Sequence, residues 1–242
     1  MNRLLIVLLM IASLNACGKK ETYIKKYYFP YARFITPQIY QYVDRKDTNL
    51  MMYWYFNTTV EKGDTILTTC IFDAKFRPAN IYQNTISATG CSLKEMLINL
   101  GDSTAMTKCQ VKEKDVFNWQ IKPKEKLVVS FSISNSDGSE SENVITERSF
   151  DPKKQYVDFN GKEYECIVAK DLVLLNHIKT NRTLSEEQNR TSYFAEGIGL
   201  IEFETLNANG SSTYFVLKRI INKEEWNKMI LSTPDSSGTA NR

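Results

Sequence analysis

Tyr156-Val157-Asp158-Phe159-Asn160-Gly161-Lys162-Glu163-Tyr164-Glu165-Cys166-Ile167-Val168 reads as a β-hairpin. Asn160 and Gly161 both tolerate positive φ, which a two-residue hairpin turn requires. The flanking residues are rich in aromatic and β-branched types that fit a pleated, half-buried surface. The run before the turn covers 156–159, and the run after it extends over 164–175.

The same pattern repeats in both directions. Leu127, Val129, Phe131 and Ile133 alternate with Val128, Ser130 and Ser132, which places them on one face of a strand. Ser136-Asp137-Gly138 turns that strand into a run over 144–150. Further upstream, strands are predicted over 39–43, 50–59, 65–72 and 81–88, with Lys62-Gly63-Asp64 as the turn between the second and third. Ser92 and Glu95 have capping-box spacing, but residues 92–97 lie between extended neighbours and are read as strand. Residues 104–111 continue the sheet. Lys122-Pro123-Lys124-Glu125 marks another turn. Downstream, the polar stretch 181–190 is read as an exposed loop, 193–206 as a strand, Asn207-Ala208-Asn209-Gly210 as a turn and 211–221 as a strand. Asn222 caps a short helix containing Trp226, with Glu225 as its capping-box partner. The expected fold is mainly β: an antiparallel curved sheet, or open half-barrel, with a short C-terminal helix. The β domain covers 38–231, preceded by a tether over 17–37 and followed by a disordered tail over 232–242.

The N-terminus indicates a location. Arg3 precedes an apolar run over 4–14, too short to cross a bilayer as a helix but suited to a secretory signal. Leu14-Asn15-Ala16-Cys17 resembles a bacterial lipobox, with Asn15 departing from the commonest pattern. The resemblance implies a signal peptide over 1–16 and a lipidated Cys17 as the mature N-terminus. Each buried acyl methylene contributes roughly 0.8 kcal/mol, so such an anchor is stable. By resemblance to lipoprotein sorting in diderm bacteria, Gly18 implies the outer membrane, with the chain on the periplasmic face or exposed at the surface.

Removal of the signal leaves 226 of the 242 residues, enough for one large all-β domain or two small ones. The formal charge of +3 is too small to imply nucleic acid, and no basic stripe interleaves with aromatics. Cys70, Cys91, Cys109 and Cys166 include no C-x-x-C pair, which argues against zinc; they are read as buried thiols or as up to two disulfides. No cofactor and no metal is expected.

Tyr193-Phe194-Ala195-Glu196-Gly197-Ile198-Gly199-Leu200-Ile201 resembles a strand near the C-terminus of functionally uncharacterised lipoproteins from Bacteroidota-type bacteria. Those chains continue through a Gly-turn hairpin to a Trp-containing helix, as 214–217 and Glu224-Glu225-Trp226 do here. They also carry an Asp-x-Phe-x-Trp segment, matched by Asp115-Val116-Phe117-Asn118-Trp119. The resemblance implies a half-barrel broadly similar to the LolA/LolB lipoprotein carriers. It attaches no reaction, because fold does not imply function.

Candidate site residues follow from these segments. Met51-Met52-Tyr53-Trp54-Tyr55-Phe56 is apolar on both faces, whereas a single-sided sheet should alternate. One face can fill the core while the other lines a ligand groove or packs against the N-terminal aromatic segment, Tyr27-Tyr28-Phe29-Pro30-Tyr31. Gly197 and Gly199, read as one strand face, allow close approach of a backbone or of a ring from Tyr193, Phe194 or Trp119. They lack the third glycine and the following helix of a nucleotide loop. His177 is the sole histidine, and no Gly-x-Ser-x-Gly elbow accompanies it, so it is read as a strand-edge residue rather than a catalytic one. The leading expectation is a non-catalytic envelope lipoprotein that presents its sheet to a protein or polysaccharide. The alternative is a carrier or sensor of an apolar ligand, and a more remote one is a hydrolase.

Overall fold

The structure, a computed structural model, describes residues 22–100, 105–121, 125–134, 140–179 and 182–232. The signal peptide, Cys17, most of the tail, and the turns expected at 122–124 and 136–138 lie outside the described residues.

The described residues form fifteen antiparallel strands, one α-helix and two short 3-10 turns. The strands are β1 (Thr22–Tyr23), β2 (Gln38–Asp44), β3 (Met51–Glu61), β4 (Asp64–Asp73), β5 (Pro78–Ile86), β6 (Gly90–Asn99), β7 (Met106–Lys108), β8 (Gln110–Asn118), β9 (Gln120–Ile121) and β10 (Leu127–Ser134). They continue with β11 (Glu140–Phe159), β12 (Lys162–Lys179), β13 (Arg182–Ala195), β14 (Gly199–Asn207) and β15 (Ser212–Asn222), followed by helix α1 (Lys223–Ser232).

The half-barrel expectation is corrected by the pairing. Twelve strands form a ring in the order β5-β4-β3-β2-β15-β14-β13-β12-β11-β10-β8-β6, and β5 pairs with β6 to close it. That closing ladder runs from Asn80 opposite Ile98 to Ile86 opposite Cys91. Closure removes the free edges that an open sheet would present. β7 extends the β6 side, and β1 pairs with β9 apart from the ring. The likeness to LolA/LolB carriers rested on an open shape that the closed ring does not have.

Two further expectations change. Residues 182–190, expected within a loop over 181–190, belong to β13; the polar segment pairs along its length with β12 and joins β14 only from Gln188 onward. Its polarity reflects a hairpin that projects past the ring with both faces in water. Residues 193–206 are two strands, with Glu196 to Ile198 turning between them. By contrast, residues 92–97 are strand, and Asn160-Gly161 turns β11 into β12 with φ of 55° and 74°. Asp158 supports that turn by accepting the Gly161 N–H at 3.2 Å.

The lumen is largely apolar. Tyr40, Tyr42, Phe56, Phe194, Phe203 and Phe215 point inward, whereas Lys94 and Lys170 are exposed on the outer wall. A membrane-spanning barrel has the reverse arrangement, with an apolar outer band. Residues 24–34, expected within a tether, plug one end of the ring instead. Ile24, Tyr27, Tyr28 and Phe34 are buried there, and the Phe34 ring stacks on Phe56 at 4.9 Å. Backbone bonds hold the plug: Ile24 N donates to Trp119 O at 2.8 Å, Gly197 N to Lys26 O at 2.9 Å, and Thr58 N to Phe34 O at 2.9 Å.

α1 covers the outside of β2 and β3. Trp226 packs on Tyr53, Phe72 and Phe76 with centroids 5.2, 5.4 and 5.2 Å away. Asn222 caps the helix by accepting the Glu225 N–H at 2.9 Å. Glu225 does not return a capping-box bond, because its carboxylate pairs with Arg219 at 2.6 Å.

Candidate ligand cavity in the barrel lumen

Strand alternation explains the two apolar faces of 51–56. Met52, Trp54 and Phe56 enter the lumen, while Tyr53 and Tyr55 face outward toward α1. Phe56 is sealed by the plug. Met52 and Trp54 instead border a cavity of about 590 Å³. Its floor is formed by Tyr28 and Phe29 of the plug, and its walls include Val129, Phe131, Leu200 and Phe203. It reaches the surface at the opposite end, where Leu50 lines the rim and is 43% exposed.

Of the other sequence-selected residues, Phe194 also lines the cavity, and the rest belong to the plugged end or the outer wall. Trp119 is buried beside Tyr28, and its indole N–H donates to Ser87 O at 3.0 Å. Phe194 faces the lumen, while Tyr193 pairs with Glu202 on the outer side. Gly197 and Gly199 do not share a strand face. Both have positive φ, 74° and 95°, but Gly197 lies in the turn and Gly199 is the first residue of β14. A close ring does cross Gly199, but it comes from Phe29: a Cβ at Gly199 would lie 2.5 Å from Phe29 Cδ1. Cys17 lies outside the described residues.

Sequence reasoning missed the polar groups of the lumen. Arg148 on β11 and Asp171 on β12 are cross-strand partners, joined by Nε–Oδ1 and NH2–Oδ2 bonds of 2.7 and 2.8 Å. The Asp171 side chain is only 1% exposed. Burial opposes the guanidinium charge, and Asp171 more than offsets it. The next residue in register is Arg190 on β13, opposite Asp171 and Thr205. Burial raises the Tyr82 phenol above its ordinary range, and the Arg190 charge offsets part of that rise. Asn84 on β5 adds a buried amide to the lining. Asp171, between the apolar runs 167–169 and 172–175, was the signal available in the sequence; Arg148 and Arg190 lie in polar segments that give none.

The cavity lining offers binding contacts, mostly apolar side chains with a few charged and amide groups. The four described cysteines are free thiols. Burial pushes Cys91 and Cys166 up to about 12 and Cys109 up to about 11, so they remain protonated at neutral pH and are poor nucleophiles. His177 Nδ1 lies 2.9 Å from Oε1 of Glu142, its cross-strand partner on β11. Among the described residues, no three His, Cys, Asp or Glu side chains gather as metal ligands.

The chain matches no protein-family profile and no curated protein. It is similar in fold to a protein designated a lipoprotein from Parabacteroides distasonis, with a TM-score of 0.50 and 10% identity over 77% of this chain and 95% of that one. It also overlaps an exported protein with a YmcC-like fold from Bacteroides fragilis, with a TM-score of 0.45 and 14% identity over 77% and 96% of the two chains. The hypothetical lipoprotein YmcC of Escherichia coli gives a TM-score of 0.33 and 11% identity over 76% and 84%. At these identities the likeness is one of fold, and the Parabacteroides protein carries it.

Proposed function

We propose that this protein is a lipid-anchored envelope protein of the outer membrane that holds an apolar ligand in its barrel lumen. The observation that carries the reading is the cavity of about 590 Å³, lined largely by apolar side chains and closed at one end by the protein's own plug. Its size and lining suit a small apolar molecule or an acyl chain. A sheet that only presented its outer surface to a partner would have no need for this space. The lipobox-like Leu14-Asn15-Ala16-Cys17 and the fold shared with a designated lipoprotein support the anchored location.

The anchor also sets a direction. Thr22 pairs with Ile121 at the plugged end, and four residues lie between Cys17 and Thr22, which puts the anchor five residue steps from that pair. Five residues span at most about 18 Å. The closed end therefore faces the membrane and the mouth points away from it, so ligand enters from the aqueous side.

Two measurements check this reading. Residues 18–242 contain every described strand and the helix; this soluble form should copurify with lipid or take up a fluorescent fatty acid. Ligand at one hundred times its dissociation constant should stabilise it by about 2.7 kcal/mol. Clean mass spectra and an unmoved melting point with every apolar probe would favour an interaction module for an envelope protein or polysaccharide. For the anchor, Cys17→Ser should abolish labelling by clickable palmitate. Equal labelling of both forms would defeat the lipobox assignment.

A further inference from the structure

We infer that the ligand is an anionic amphiphile, with its acidic head at Arg190 and a hydroxyl or amide N–H donated to Asn84. This rests on the lumenal binding proposed above and adds the chemistry of the ligand.

Arg190 is held in place without being neutralised. It lines the cavity, its Nε donates to Thr205 Oγ1 at 3.3 Å, and its guanidinium carbon lies 5.6 Å from the Phe203 ring centroid. Among the described residues, no carboxylate lies within ion-pair distance of it. The other charged lining residues are differently placed. Arg148 and Asp171 satisfy each other, Asp73 is held by Arg77 at 2.8 Å, and Asp115 is exposed on β8. A planar guanidinium already oriented by a hydroxyl and an aromatic face suits a carboxylate or phosphate.

Asn84 supplies an independent observation. It lines the same cavity, is 8% exposed, and its Oδ1 is buried with no hydrogen-bond partner. Buried acceptors are almost always satisfied in native proteins. Asn84 sits between Leu67 on β4 and Leu93 on β6, both buried and apolar. A purely hydrocarbon ligand would leave this acceptor and the Arg190 charge unanswered. An acidic amphiphile with a donor on its chain answers both.

The test compares myristate, myristyl alcohol and a series of hydroxymyristates, with the hydroxyl at successive positions, on residues 18–242. Wild type should bind myristate at least tenfold more tightly than the alcohol. Arg190→Gln should erase that preference, and Arg190→Lys should keep most of it. One hydroxymyristate should bind more tightly than myristate, and Asn84→Leu should remove that gain. Melting curves without ligand separate a binding defect from a folding defect. Equal affinity for acid and alcohol, or an unchanged preference in Arg190→Gln, would overturn the anionic assignment while leaving apolar binding intact. No gain from any hydroxyl position would remove Asn84 from the site. Failure of every probe to bind would overturn both the inference and the proposed function.

Discussion

Gly199→Val is expected to destabilise the barrel by about 2–5 kcal/mol, far more than the same change at Gly197. The two glycines look equivalent in sequence, and both have positive φ, which strains a side-chain-bearing residue by roughly 1–2 kcal/mol. They differ in what lies above them. A Cβ at Gly197 meets nothing within 4 Å. A Cβ at Gly199 would lie 2.5 Å from Phe29 Cδ1 and 3.0 Å from Phe29 Cα, so the ring and its backbone would both have to move. Phe29 has little room, because its ring also packs on Phe56 at 4.7 Å. Overpacking of this kind adds about 1–3 kcal/mol. Urea midpoints at a constant m-value would measure both effects. Equal midpoints for the two variants would show that the plug does not depend on the missing side chain.

Asp171→Ala is expected to destabilise by about 3–5 kcal/mol, because it leaves the Arg148 guanidinium buried without its carboxylate. Among the described residues, Arg148 would retain its bond to Val116 O at 3.3 Å and its position over the Phe194 ring, neither of which carries a balancing charge. Replacing the pair together is a different perturbation. Arg148→Met with Asp171→Leu removes both desolvation penalties and fills the same lumenal wall with apolar atoms. That double variant should be near wild type or more stable. Thermal or denaturant unfolding of the two singles and the double completes the cycle. A loss below about 1 kcal/mol for Asp171→Ala would mean that water reaches the pair and that it behaves as a surface ion pair.

The strands were legible wherever a local signal was strong. Period-two alternation at Leu127 to Ile133, the Asn160-Gly161 turn and the Asn222 cap all depend on residues within a few positions of one another. The errors arose where distant chain segments decide the outcome. Residues 182–190 read as a loop because they are polar, yet strand β12 supplies backbone partners regardless of side-chain polarity. Gly197 and Gly199 read as one strand face because period two was carried across a turn that only the pairing of β13 with β14 reveals. Phe29 reads as tether because nothing near it in sequence shows that a barrel end 170 residues away needs a plug.

Alone, the sequence determined the antiparallel β class, most strand positions, the terminal helix, and an address inferred from Leu14 to Cys17. These depend on short-range backbone preference and hydrophobic period, which each segment carries with it. Tertiary structure alone decided that β5 meets β6 to close the ring, that Tyr28 and Phe29 form a floor, and that Arg148, Asp171, Arg190 and Asn84 share one lumen. These are consequences of long-range strand register. A shift of one residue in any ladder would turn the same side chains to the outside.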